Sequence, residues 1–257
     1  MSDPVRVSRD ESGVSTVELV SPPLNAFDTA MRRALDDAVT EIGEDDATRA
    51  VVVTGGERVF AAGADIKALA EMDYEAVVVW NRALQRTFTG LAELRVPVIA
   101  AVNGYALGGG MELALAADYR IASSGASLGQ PEVLLGILPG SGGTQRLTRL
   151  VGTSRSKELL MTGRRLRAAE ALALGIVDEV VDGDAYPAAA AFAQRLAAGP
   201  RFAIQAIKQA VDHGLDGSLE AGLALERSLI AGLFATDDKR VGMASFQAEG
   251  PGKARFT

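Results

Sequence analysis

Val102-Asn-Gly-Tyr-Ala-Leu-Gly-Gly-Gly-Met-Glu-Leu113 is the stretch on which the reading of this chain turns. An apolar strand candidate, Pro97 to Val102, runs into a glycine-rich turn. The composition then predicts a small-residue helix from Gly109, with Glu112 in its first turn. Glycines at 108, 109 and 110 put side-chain-free backbone N–H groups where a ligand can approach closely. Those donors and the helix start would stabilise negative charge developing nearby. A carboxylate beside such a hole is a catalytic arrangement.

The pattern repeats outward. Strand candidates at Val5 to Val7 and Val14 to Leu19 flank the turn signal Asp10-Glu-Ser-Gly13. Asp28 is placed to cap a helix running to about Ile42, with Met31, Leu35, Val39 and Ile42 on one face. Arg49 to Thr54 reads as a buried strand, and a second glycine turn, Phe60 to Lys67, opens another helix. A strand is expected near Tyr119 to Ala122, and a helix from about Thr144. Beyond Gly163 the pattern is mostly helical, with one strand candidate at Ile176 to Val181 and a hinge at Gly199-Pro200. Strands alternating with helices, then helices alone, indicate an α/β or α+β fold with a helical appendage. Periodicity does not choose between the two.

Composition narrows the chemistry. The 257 residues suffice for one large domain, and 48% hydrophobic with 23% charged residues indicates a globular chain. No cysteine is present, so disulfides and thiolate chemistry are excluded. The polar start Met1-Ser-Asp-Pro4 lacks a signal-peptide pattern, and Val96 to Met111 is too short and glycine-rich for a membrane span. A cytoplasmic protein without a membrane partner is the expectation. A net charge of −7 argues against nucleic-acid binding but leaves room for a small anionic ligand. The single histidine, His213, reads as a solvated residue at a polar helix end, which leaves a Ser-His-Asp triad or a histidine metal site little to build on.

Neither glycine turn has P-loop spacing or a dinucleotide-binding fingerprint, and Gly140-Ser-Gly142 does not fit a nucleophile elbow. Two turns offering backbone donors remain, for instance at Ala64 and Gly109, with Glu112 and Glu132 as candidate acid/base groups. Burial would raise either carboxyl pKa, whereas a helix start would lower that of Glu112.

Taken together, Gly63-Ala-Asp-Ile-Lys67, Asn103 to Leu113, Gly129-Gln-Pro-Glu132 and Pro139-Gly-Ser-Gly-Gly-Thr-Gln-Arg146 resemble the enoyl-CoA hydratase/isomerase (crotonase) family. The likeness continues through Leu160 to Gly163, Ala168 to Val177 and Phe234 to Asp238, in order over nearly the whole chain. It is most like an enoyl-CoA hydratase. Phe27 stands where Asn-Ala-Leu is common, Met111 where cysteine is common, and Glu249-Gly-Pro-Gly-Lys253 replaces a compact Glu-Lys-Arg run.

The resemblance implies a spiral of ββα units over residues 1–198 and a helical oligomerisation region over 199–257, assembling as a homotrimer or a hexamer of paired trimers. It implies an acyl-CoA thioester whose carbonyl oxygen is held by the Ala64 and Gly109 N–H groups. Glu112 would activate water for attack at C3, Glu132 would deliver a proton to C2, and Gly140 would make a backbone contact positioning the Glu132 region. Ala62, Ala64, Asp65, Ile66, Lys67 and the tail residue Lys253 would meet coenzyme A. Ala68, Leu69, Met72 and Trp80 are candidates for the acyl pocket. No metal or further cofactor is implied. The rival readings are a Δ3,Δ2-enoyl-CoA isomerase and a non-catalytic acyl-CoA-binding protein on the same scaffold.

Overall fold

Two sheets share the work of the fold. The computed structural model describes residues 3–256. Strands β1 (Val5–Arg9) and β2 (Val14–Leu19) form an antiparallel hairpin. Helix α1 (Thr29–Glu44) follows, capped as expected by Asp28, whose carboxylate accepts the Met31 N–H. Next come β3 (Ala50–Thr54), β4 (Ala61–Ala62), α2 (Ile66–Ala70) and α3 (Tyr74–Ala92). Strands β5 (Val98–Val102) and β6 (Tyr105–Leu107) lead into α4 (Gly109–Ala114). Strands β7 (Tyr119–Ser123) and β8 (Ser127–Gly129) lead into a 3₁₀ turn, Pro131–Leu135, then α5 (Gly143–Val151) and α6 (Thr153–Thr162).

The order within the sheets explains the repetition. β3, β5 and β7 are parallel neighbours in a six-stranded sheet, while β4, β6 and β8 are parallel neighbours in a four-stranded one. Each turn of chain therefore places one strand in each sheet, then a helix, and advances by one strand. This is a spiral of ββα units. Strand β9 (Leu166–Arg167) closes the small sheet antiparallel to β8. After α7 (Ala168–Ala173), β10 (Glu179–Val181) closes the large sheet beside β7.

Alternation along the large sheet divides the core. Val51, Val53, Val98, Ala100 and Val102 face one buried cluster with α1, α3 and α4. Ala50, Val52, Ile99 and Ala101 face the other, where α8 (Tyr186–Ala197) lies on the sheet. Helix α8 and its cap residue Ala185 present Ala185, Ala189, Ala193 and Ala197 at four-residue spacing, a stripe small enough for close approach. Neither cluster includes a residue beyond Ala197. The remaining helices, α9 (Arg201–Gly214), α10 (Leu219–Leu233) and α11 (Asp237–Glu249), have no buried residue. His213 is exposed in the last turn of α9, as its sequence context predicts. No helix among the described residues is long and apolar enough to cross a membrane.

Candidate active site

Parallel pairing in the small sheet assembles the candidate residues. β4 pairs with β6 and β6 with β8, so their C-terminal ends lie side by side. Ala64 follows β4, Gly109 follows β6, and Glu132 follows β8 in the 3₁₀ turn that begins at Pro131. Proline at the start of that turn costs no hydrogen bond, because the first N–H groups have no partner there anyway. The Gly108 N–H donates to the Gly129 carbonyl at 2.9 Å, tying the second turn to the third.

Gly108 has two reasons to lack a side chain. Its φ of +54° is a left-handed value that disfavours other residues. A Cβ there would also lie 3.1 Å from Glu132 Oε1 and 3.4 Å from Gly63 Cα. The two glycine turns and the Glu132 carboxyl are thus in mutual contact. Among the described residues, the Ala64 and Gly109 N–H groups donate no hydrogen bond within the protein.

Glu112, on α4, is 3% exposed. One oxygen, Oε1, accepts the Ser141 N–H at 2.6 Å and the Gly143 N–H at 2.8 Å. Both donors come from the loop leading into α5, and they leave Oε2 without a protein donor. Burial raises the Glu112 pKa above the ordinary range, against the lowering effect of those two N–H groups and the Arg146 charge. Desolvation therefore wins over the hydrogen bonds. Arg146 donates from one nitrogen to the Ser141 carbonyl and from another to Thr89 Oγ1, both at 3.3 Å, bracing the loop from behind.

Glu132 is held differently. Its Oε2 is buried with no hydrogen-bond partner. Burial pushes its carboxyl up to about 7, and the Glu112 charge adds to the rise. The adjacent Gln130 is also buried, and neither of its amide atoms is partnered. Its side chain presses on Gly143, where a Cβ would overlap the Gln130 amide.

The hydrogen bonds of the Gly140 loop run to Glu112 and α3 rather than to Glu132. The Gly140 carbonyl accepts from Asn81 Nδ2 at 3.0 Å and from Gln85 Nε2 at 2.5 Å. Asp65 accepts the Lys67 N–H at 2.9 Å as the cap of α2, and the Ala62 N–H donates to the Leu24 carbonyl at 2.9 Å. Ile66 and Lys67 are exposed beside them. Lys253 is exposed in the tail beyond α11, and the tail folds back so that Phe256 lies against Gly242. Ala68 is exposed, whereas Leu69 and Met72 are half-buried, and Trp80 packs on the main core. Met72 and Trp80 line a cleft of about 580 Å³ with Thr29 and Val79. A second cavity, of about 660 Å³, opens on the Arg146 side of the Ser141 loop, and Ala64, Gly109 and Glu132 do not line it.

Ser141, Gly143, Arg146 and Gln130 were not readable as parts of the site by residue type. The donors to Glu112 are main-chain groups, and glycine spacing around 140–143 was the available signal. Among the described residues there is no cluster of three or more histidine, aspartate or glutamate side chains suited to a metal ion.

Residues 9–254 match the enoyl-CoA hydratase/isomerase family. The chain belongs to that family. A Mycobacterium tuberculosis protein named "probable enoyl-CoA hydratase" is 41% identical over 248 residues, 94% of each chain. The short-chain-enoyl-CoA hydratase of Clostridium acetobutylicum is 40% identical over 239 residues, 92% of each. Among solved structures, an enoyl-CoA hydratase from Bacillus anthracis superposes with a TM-score of 0.91 at 39% identity, covering 96% of both chains. One from Thermoplasma volcanium does so with a TM-score of 0.89 at 35% identity, covering 96% of this chain and 98% of that one. The enoyl-CoA hydratase/isomerase fold is thus established over almost the full length.

Proposed function

We propose that this family member is an enoyl-CoA hydratase, adding water reversibly across the C2–C3 double bond of a 2-trans-enoyl-CoA to give a 3-hydroxyacyl-CoA. One observation carries the reading: two N–H groups without protein partners follow the adjacent strands β4 and β6, beside the half-buried Glu132 after β8 and the buried Glu112 on α4. Water addition to an enoyl thioester passes through an enolate-like state, with charge moving onto the thioester oxygen. The Ala64 and Gly109 N–H groups receive that charge, at about 3–4 kcal/mol per preorganised donor.

The two carboxylates divide the proton work. Glu112, with Oε1 anchored by the 141–143 loop, uses Oε2 to orient water and take its proton as oxygen bonds to C3. Glu132, raised to about 7, retains a proton near neutrality and delivers it to C2 as the enolate collapses. Each turnover leaves Glu112 protonated and Glu132 ionised, and exchange of one proton between them through solvent resets the pair. Ala62, Ala64, Asp65, Ile66 and Lys67 offer the coenzyme A contact, with Lys67 as phosphate partner; Lys253 is a further candidate from the tail. No metal or redox group enters these steps. Fatty-acid oxidation is the pathway proposed for this activity.

Incubation with crotonyl-CoA should lower the conjugated enoyl-thioester absorbance to an equilibrium plateau and yield 3-hydroxybutyryl-CoA. Absence of turnover across several chain lengths overturns the proposal. Conversion of a 3-enoyl-CoA without water addition would instead identify an isomerase, and binding without turnover a binding protein.

A further inference from the structure

Phe27 touches both halves of the candidate oxyanion site, by different parts of the residue. Its main chain brackets the first turn: the Phe27 N–H donates to the Gly63 carbonyl at 2.9 Å, and its carbonyl accepts the Asp65 N–H at 3.4 Å. Ala64 lies between those two contacts, paired with Phe27 as a parallel bridge. Its ring backs the second turn. A Cβ on Gly109 would lie 3.2 Å from the Phe27 Cδ2 and 3.7 Å from Cε2.

The ring has little freedom to retreat. Phe27 and Phe88 of α3 are both fully buried, and they meet edge-to-face with centroids 5.2 Å apart and planes at 76°. The segment before Phe27 is also pinned. Asn25 donates from its amide nitrogen to the Gly55 and Phe60 carbonyls, both at 3.1 Å.

We propose that Phe27 is a positioning residue that sets the separation and aim of the Ala64 and Gly109 N–H groups, its backbone fixing one and its ring the other. The proposal rests on the oxyanion role given above. A hole of this kind works only if both donors point at the place the charged oxygen will occupy, so a small shift of one turn weakens catalysis more than binding. A branched aliphatic side chain cannot present the same flat support to Gly109.

The test uses the full-length protein with crotonyl-CoA and three variants: F27L, G109A and the double variant. Turnover, KM and the infrared carbonyl stretch of bound, isotope-labelled thioester are measured, with thermal unfolding as the folding control. In wild type the stretch should fall below that of free thioester. F27L should lower kcat about tenfold, leave KM within about twofold and move the stretch back toward the free value. G109A should lower kcat because its methyl meets the Phe27 ring. The double variant should then exceed G109A alone, since the smaller side chain admits the methyl.

If F27L lowers thermal stability while kcat and carbonyl stretch stay at wild-type values, Phe27 is merely structural and the proposal fails. Losses that simply multiply in the double variant also overturn it. If F27L does not fold, F27M supplies the same comparison. A wild-type protein that neither turns over nor shifts the carbonyl stretch overturns the hydratase reading and this proposal together. Wild-type turnover with an unaltered F27L overturns this proposal alone.

Discussion

Glu112 and Glu132 are the same residue type and both are raised by burial, yet Glu112 is the more deeply buried and their main-chain hydrogen bonding differs. Glu112 is anchored by two N–H groups on one oxygen, whereas Glu132 Oε2 has no partner. The first is therefore held in one orientation with Oε2 left to meet water, and the second carries an oxygen on which a proton can reside. Glu112→Gln removes the acceptor for the water proton and should lower kcat by about 10²–10⁴-fold, with KM little changed, in a steady-state crotonyl-CoA assay. Glu132→Gln tests the acid through stability. In the folded protein Glu132 holds its proton up to about 7, whereas the ordinary value is 4.5. Its protonation thus adds stability that is fully present below about 4.5 and lost as pH rises through about 7. The Gln variant lacks that loss. Relative to wild type it should gain about 1–2 kcal/mol in urea unfolding between pH 4.5 and pH 8, after allowing for solvent screening. A constant difference across that range would remove the pKa argument for Glu132.

At the scale of elements, the short strands of the small sheet are what place the site, and one polar brace holds their approach. Asn25 sits at φ +50°, accepts the Ser21 N–H at 2.8 Å and donates to carbonyls between β3 and β4. Asn25→Asp keeps the shape but turns the donor into a charge facing those carbonyls. It should cost about 3–5 kcal/mol at pH 7, with the loss smaller at pH 4, in denaturant unfolding. The same elements set the limits of sequence reading. β3 and β5 were legible because both faces are buried, giving continuous Val, Ile and Ala runs. β4, β6, β8 and β9 are two or three residues long, too short to display a period of two, and they hide inside glycine-rich segments. The helix expected after Gly63 proved to be two, because Asp73 caps a fresh start for α3. Glu112, Glu132, Ala64 and Gly109 could be named from the sequence. What orients Glu112 could not, because Ser141 and Gly143 act through their N–H groups. The sign of the Glu112 shift was equally hidden, since it depends on burial outweighing those bonds.

At the scale of the molecule, the core and the last three helices have opposite surface logic. Both buried clusters end by Ala197, yet α9, α10 with its cap residue Phe234, and α11 expose Phe202, Ile207, Ile230, Phe234 and Phe246. Apolar side chains at this density on helices without a buried residue are what an association surface requires, because an isolated chain gains nothing from leaving them in water. We propose that residues 199–257 pack against other copies of this chain, as a trimer or paired trimers. Close to the site, Leu134 and Leu138 are also exposed, at 72% and 65%, immediately after Glu132. Sedimentation velocity at micromolar protein should give three or six copies for wild type. Phe246→Glu puts a charge on the α11 surface in a chain already at net −7, and should shift the distribution to single chains. The carboxylate contacts of Glu112 all lie within residues 112–143, so the separated chain should keep those bonds intact. Any rise in KM on separation, without a matching fall in kcat, then reports a binding group such as Lys253 supplied across the interface. A wild-type protein that sediments as one chain would overturn the assembly proposal and leave the exposed aromatic residues of α9 to α11 to another occupant.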